Sequence, residues 1–360
     1  MSFFKRTASA LAIGLALAGG AALVAPGLAP AAWAQESAEA RFADALRLYG
    51  VPDGLLKWAS VEETGYGFIA HGIYVDLAGR NLGVTTIPLG DLELTEVAVE
   101  DGYVTHLKGR FTNIKADLAE LMTAGQQLGQ SQAGASLGMG VVMMAGYVQG
   151  LGYQTVDIAL DIDSALDFGT GIWVQSGALD IATAFRVDFK TTQDNVTPAY
   201  VDWARANGTK MLIDPAATAE ATKAALADPN SPVAKVGYAA FDIAFDDQGL
   251  MAKLEPQLAP LRAQFLGTNA DGTPKTELTE ADLLIRAQAM GGKLAPEKLL
   301  PLVRAAYNFV MKPDVIAVAV KASPAFTLGE FQSLTAVATG AAPTGPAIDW
   351  NSRVTLDAHN

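Results

Sequence analysis

Residues 241–254 read FDIAFDDQGLMAKL, and residues 156–166 carry a related phrase, VDIALDIDSAL. Around the first, Ala239, Phe241, Ile243 and Phe245 alternate with Ala240, Asp242, Ala244 and Asp246. Within the second, Val156, Ile158, Leu160 and Ile162 alternate with Asp157, Ala159, Asp161 and Asp163. A period of two places the two sets on opposite sides of a β-strand. Each phrase is therefore a strand with one apolar side and one wet side. The stretch IATAFRVDFK, 181–190, reads the same way, with Ile181, Thr183, Phe185, Val187 and Phe189 opposing Ala182, Ala184, Arg186, Asp188 and Lys190. One solvated face is the mark of antiparallel pairing. The two aspartate phrases begin 85 residues apart, at Asp157 and Asp242, an echo that any amphipathic strand shares.

Further strands are expected on either side. Residues 59–114 mix aromatic and β-branched residues with glycine, and Asp101-Gly102 marks a two-residue hairpin turn. Beyond that turn Tyr103, Leu107 and Phe111 alternate with His106, Lys108 and Arg110. Helices are expected at 36–50, where Phe42, Ala45, Leu46 and Tyr49 form one stripe, from Pro198, after an Asp214 N-cap with Pro215 at the first position, and near 248–266, 280–290, 296–311 and 328–337. Strands at 238–246 and around DVIAVAVKA and SRVTLDA complete the pattern. The fold class is α+β: a twisted antiparallel sheet with helices packed mainly on one face.

The chain opens MSFFKRTASALAIGLALAGGAALVAPGLAPAAWAQES, with Lys5 and Arg6 ahead of an uncharged stretch and Ala32-Trp33-Ala34 as a small-x-small cleavage site. Residues 1–34 are expected to be a signal peptide, leaving 35–360 as one large domain whose natural place for a division is near 121–154. Removing two cations and no acid deepens the net charge from −13 to −15, which disfavours nucleic acid as a partner. With no cysteine in the chain, neither disulfides nor thiolate chemistry is available, and an exported protein of this size must rely on its core.

Residues 121–156 carry no charge, and Gly134, Gly138, Gly146 and Gly150 make two small-xxx-small pairs of the kind that lets helices approach closely. A buried or groove-lining helix is the expectation here, with a membrane-spanning or membrane-touching segment as alternatives. Thr279 with Asp282 and Thr327 with Glu330 fit capping boxes, flanked by the staples Leu278 with Leu283 and Phe326 with Phe331. Those acids have structural employment.

The candidate chemistry is thin. GASLG, 134–138, has the G-x-S-x-G form around Ser136, but GQQLGQSQA before it is no strand, and the only histidine after it, His359, is expected to be frayed. His71 and His106 lack metal-site spacing. In GTNADGTPKTEL a calcium loop centred on Gly272 finds Asn269 and Asp271 but has Gly267 and Leu278 where two defining ligands belong. Asp157, Asp161 and Asp163, and Asp242 with Asp246, stand on single strand faces at spacings that suit a cation or a carboxylate pair, though a solvated sheet face accounts for them and Asp246 or Asp247 can cap the following helix. No catalytic, cofactor-binding or metal-binding residue is assigned, and no cofactor is implied.

The sequence FDIAFDDQGLMAKL, followed by helices and then DVIAVAVKASPAFTLGEFQSL, resembles secreted Gram-negative proteins and the AsmA-like envelope proteins, in which strands laid side by side are punctuated by D-x-G-L helix starts. Over residues 155–335 the resemblance implies lipid handling along an apolar sheet surface, and it carries over no functional residue. The expectation is an exported, periplasmic or secreted, non-enzymatic protein that binds a hydrophobic ligand such as a lipid, or an envelope protein. The alternatives are a hydrolase using acidic residues on polysaccharide or cell wall, and an assembly protein recognised through an exposed strand edge.

Overall fold

The structure, a computed structural model, describes residues 37–48, 51, 53–65, 67–76, 86–129, 135–208, 215–269, 271–290, 295–330 and 349–360. The expected signal segment, Tyr49, Asp214 and Phe331 lie outside them. The strands are β1 (Leu56–Lys57), β2 (Ser60–Glu63), β3 (Phe68–Asp76), β4 (Thr86–Glu100), β5 (Tyr103–Asp117), β6 (Thr155–Asp167), β7 (Ile172–Ile181), β8 (Phe185–Asp194), β9 (Gly237–Asp247), β10 (Val315–Thr327) and β11 (Val354–His359). All eleven belong to one sheet. From β3 to β11 each strand pairs antiparallel with the next in sequence, while β1 and β2 both pair with β3. The mixed α+β class with an antiparallel sheet is as the sequence predicts.

Tight turns and helical insertions alternate along this meander. Asp101 and Gly102 both take left-handed φ, 50° and 78°, the geometry a two-residue primed turn demands of β4 and β5. Between β6 and β7 the Asp167 carboxylate accepts from the Gly169 N–H at 2.8 Å and the Thr170 hydroxyl at 2.8 Å, a side-chain-built turn. The expected single strand over 181–190 is corrected here. Residues 182–184 turn, with Thr183 at φ 64°, so Ile181 ends β7 and Phe185 opens β8. No glycine or proline marks the bend, and its apolar–small alternation continues the strand pattern across it.

The helices enter between strands. First comes α1 (Ala38–Leu48), whose Ser37 hydroxyl caps Ala40 N–H at 3.2 Å. Its Phe42 is fully buried and meets Trp58 edge-on at 5.1 Å and Phe68 at 6.0 Å. Between β5 and β6 lie α2 (Leu118–Gly129) and α3 (Ala135–Gly150), and between β8 and β9 lie α4 (Pro198–Gly208), α5 (Pro215–Ala227) and α6 (Pro232–Lys235). The β9–β10 connection holds α7 (Leu250–Leu266), α8 (Glu280–Met290) and α9 (Pro296–Met311), and the short α10 (Trp350–Arg353) leads into β11.

Both expected capping boxes are in place. Thr279 N–H donates to Asp282 Oδ2 at 3.0 Å while Asp282 N–H donates to Thr279 Oγ1 at 3.2 Å. Thr327 and Glu330 repeat the exchange at 2.9 and 3.3 Å. Asp247, rather than Asp246, caps α7 by accepting from Met251 N–H at 2.9 Å. The charge-free segment forms the α2–α3 pair, in which Gly146 faces α2, a Cβ there meeting the Met122 sulfur at 3.7 Å, while one on Gly150 would meet nothing within 4 Å. Gly134 and the surroundings of Gly138 lie outside the described residues. Among the described residues no helix is long and apolar enough to cross a membrane.

Buried apolar residues gather in separate clusters around the margins of the sheet. One joins α1 to β3–β5 through Phe42, Phe68, Leu92, Leu94 and Leu107. A second packs α4 and α6 on Leu166 and Trp173. A third sets α2 and α3 against Val156 and Ala184 at the opposite strand ends. On the far edge Phe309 of α9 meets Phe245 edge-on at 5.7 Å, and Lys298 of α9 donates to the Val354 carbonyl at 2.7 Å.

Two stability measurements follow. A β-branched residue with left-handed φ costs roughly 1 kcal/mol, so Thr183→Gly is expected to raise the urea-unfolding midpoint slightly. Glu330, held below the usual carboxylate range chiefly by the hydrogen bond from Arg353, is ionised and paired at neutral pH. Its stabilisation is present above the ordinary glutamate range and disappears as pH falls through the lowered value. Glu330→Gln is expected to cost about 1–2 kcal/mol at pH 7, and the gap to wild type should close on acidification.

Candidate functional site

Sequential antiparallel pairing turns the period of two into continuous rows across the sheet. One row on the wet side runs Glu93, Arg110, Asp161, Ala178, Asp188, Ala244, Ala317, His359, each the register partner of the next. The neighbouring row runs Lys108, Asp163, Ser176, Lys190, Asp242, Ala319, Asp357. Charged residues alternate with small ones along these rows, and a shallow groove of about 800 Å³ is lined by Ser176, Ala178, Ala244, Ala317 and Ala319 together with Asp161, Asp188, Lys190 and Asp242.

Three of the aspartates singled out from sequence, Asp161, Asp163 and Asp242, line this groove, whereas Asp157 and Asp246 do not. Their environment is one of opposite charge. Asp161 lies 3.3 Å from Arg110 and 3.6 Å from Arg186, and Arg186 also reaches Asp188 at 2.9 Å. The bond to Asp188 is the main reason the Arg186 guanidinium is held above its ordinary value. Asp163 accepts His106 at 3.3 Å, and the other ring nitrogen of His106 is 2.8 Å from Glu96. Asp242 stands in register with Lys190, with its Oδ1 buried and without a hydrogen-bond partner. General-acid catalysis on a glycoside wants one carboxyl kept protonated by apolar surroundings. Carboxylates set beside arginines form a cross-strand ion network instead.

The remaining sequence candidates disperse. His71 faces Asp91 at 3.5 Å and Glu62 at 3.8 Å, away from His106. His359, expected to fray, is paired with Ala317 in β11 and lines the groove, because the antiparallel ladder supplies its backbone with partners almost to the end of the chain. The loop around Gly272 closes on itself: Asp271 accepts from the backbone and hydroxyl of Thr273 at 3.0 and 2.7 Å. Of the segment before Ser136, residues 125–129 are helical, in α2, as the expectation of no strand there requires, while 130–134 and the Ser136 side chain lie outside the described residues. Among the described residues no cluster of three or more His, Asp or Glu could hold a metal ion.

The opposite face carries the rows Leu94, Gly109, Ile162, Gly177, Phe189, Ile243, Val318 and Leu92, Phe111, Leu160, Leu179, Val187, Phe245, Ile316. Gly177 belongs here because its strand neighbour needs the room: a Cβ would lie 2.7 Å from the Phe189 ring. At the margins these rows are covered by the clusters on α1, α2–α3, α4–α6 and α9. In the middle, over β6–β9, they are not fully covered. Phe241 is 39% and Ile243 38% exposed, and Leu160, Leu179, Val187 and Phe189 are half-buried.

Within this apolar face lies an inclusion that sequence reasoning missed. Ser164, Gln175 and Thr191 are register partners on β6, β7 and β8, in the row that continues to Phe241 and Val320. In the next row Gln193 stands between Trp173 and Tyr238. Gln175 is 8% and Gln193 4% exposed. The Trp173 indole donates to Ser164 Oγ at 2.8 Å. Burial pushes the Tyr200 and Tyr238 phenols up, and a hydrogen bond from the Gln193 amide partly offsets it in both. Gln175 Nε2 and Gln193 Oε1 are buried and unpartnered. The sequence signal is Gln175 at the parity of Trp173 and Leu179 on β7 and Gln193 at the parity of Val187 and Phe189 on β8.

No protein-family profile matches the chain, and no curated protein matches it.

If the groove aspartates serve the ion network, Arg186→Met should cost about 1 kcal/mol at low ionic strength and less in 1 M salt. Asp242→Ala, which removes a buried oxygen without a partner, should leave the unfolding midpoint within about 0.5 kcal/mol of wild type or raise it. A large loss on Asp242→Ala would contradict this assignment.

Proposed function

We propose that this protein is an exported, non-enzymatic binder of an amphipathic or apolar small molecule of the lipid class, which lies on the half-exposed apolar face over β6–β9, with the helices gathered on that side. The observation that carries the reading is the exposure of Ile243 within an apolar row, beside the exposed Phe241 of the adjoining row on the same face. Leaving large apolar side chains in water forfeits roughly 1.5–3 kcal/mol each, and contiguous patches of this kind are commonly binding surfaces. The packed clusters wall the band on its margins and leave its centre open. The resemblance to AsmA-like proteins and the expected signal peptide at 1–34 point the same way, toward a periplasmic or secreted protein in contact with envelope lipids.

The ion-paired state of the groove carboxylates is what weighs against the acid-hydrolase alternative. Lipid binding is tested with N-phenyl-1-naphthylamine, whose fluorescence rises in apolar sites, and by mass spectrometry of organic extracts of the purified protein. A saturable rise is expected with wild type. Ile243→Asp is expected to weaken probe binding at least tenfold while moving the thermal midpoint by only a few degrees, because the side chain is already partly exposed. No fluorescence rise and no co-purified lipid would end the proposal.

A further inference from the structure

The polar inclusion on β6–β8 says what kind of head group the ligand carries, an inference that rests on the lipid-class reading above. Gln175 and Gln193 are diagonal neighbours on adjacent strands. Side chains so placed are rooted about 7 Å apart, far enough for one small group to stand between two amides. The atoms left unmatched are complementary: Gln175 Nε2 is a donor and Gln193 Oε1 an acceptor, and both are buried. Each unmatched buried polar atom costs on the order of 1–3 kcal/mol, so the pair calls for a group that accepts from one and donates to the other. A hydroxyl does both.

The surroundings reject charge. The two rows holding these glutamines run Leu107, Ser164, Gln175, Thr191, Phe241, Val320 and Leu166, Trp173, Gln193, Tyr238, Phe326, without an acid or a base. A carboxylate or phosphate placed in these rows would be desolvated with no cation in the rows themselves. Arg205 of α4, whose Nε and Nη2 are buried without partners, belongs to the helix packed on Trp173, and the anionic probe below reads whether it supplies one. The inclusion also stands at the edge of the open band, since the row of Gln175 leads directly to the exposed Phe241.

We propose that Gln175 and Gln193 form a head-group site for the hydroxyl of an uncharged long-chain alcohol-type amphiphile, whose hydrocarbon part lies along the row of Phe189 and Ile243. The experiment is competitive displacement of N-phenyl-1-naphthylamine from the full chain by 1-dodecanol, dodecane, methyl laurate and laurate at matched free concentration. Dodecanol is expected to compete at least tenfold better than dodecane, with the ester, which lacks a donor, and the anion below dodecanol. In Gln175→Met and Gln193→Met, which keep side-chain volume, the advantage of dodecanol over dodecane should fall toward unity while dodecane competes as before. The unfolding midpoint of Gln175→Met, measured alongside, should be unchanged or raised, whereas Gln193→Met also removes the amide's hydrogen bonds to the buried Tyr200 and Tyr238 phenols and should lower it. Competition by dodecane, unchanged in both, keeps the comparison interpretable.

Displacement by none of the four compounds would overturn the lipid-class reading itself. Equal competition by dodecane and dodecanol in wild type would leave that reading standing and overturn the hydroxyl site, with the gap then belonging to a bridging water. Preference for laurate would likewise overturn it in favour of an anionic head. Retention of the alcohol preference in both methionine variants would show that the hydroxyl binds elsewhere.

Discussion

The register of one long antiparallel meander is the constraint on which everything else in this protein depends. From β3 to β11 each strand pairs with its sequence neighbour, so a period of two within each strand becomes a row across the sheet. Because side-chain direction alternates at every residue, a slip of one position in any ladder would carry an entire apolar set to the wet face. The cross-strand charges oppose such a slip. Arg110 and Arg186 converge on Asp161 from opposite sides, and neither contact survives a one-residue shift. Individually these half-exposed pairs contribute little to stability; their geometric role is to specify which residues face one another.

Among the described residues no second sheet packs against the eleven strands, so the apolar side is buried in other ways. The connections supply them at both ends. Since successive strands reverse direction, the insertions after β5 and β9 emerge at one end of the sheet and those after β8 and β10 at the other. Helices rooted there meet particular strands, and α1 and α9 do likewise, Phe42 of α1 against Phe68 and Phe309 of α9 against Phe245. That arrangement explains why buried residues form several clusters rather than one continuous core. It also explains why the middle of the face stays partly uncovered.

Strand character, the Asp101-Gly102 hairpin and both capping boxes were legible in the sequence because each depends on residues within a few positions of one another. The pairing order was not, since period two says which side a residue faces and nothing about its neighbour. The β7–β8 turn was hidden for a related reason. Thr183 holds a left-handed φ that its side chain disfavours, sustained by its surroundings, where Tyr153 donates to its carbonyl at 2.9 Å. The ion network of Asp161 is equally illegible, as its partners come from β5 and β8, 51 residues before and 25 after it. The polar inclusion has a sequence trace, Gln175 and Gln193 at apolar parity, but its meaning appears only when β7 and β8 lie side by side.

The two faces present opposite solutions to the same problem of unmatched groups. On the wet face an unpartnered atom such as Asp242 Oδ1 belongs to a surface crossed by cations, where a small rearrangement of Lys190 or a solvent molecule can reach it. On the apolar face Gln175 Nε2 and Gln193 Oε1 stand in rows without any charged residue, Gln193 between Trp173 and Tyr238 and Gln175 between Ser164 and Thr191. A polar group maintained in a hydrophobic surface is costly unless something regularly occupies the position beside it. That asymmetry, more than the density of aspartates that first draws the eye, is what favours the charge-free face for the proposed binding.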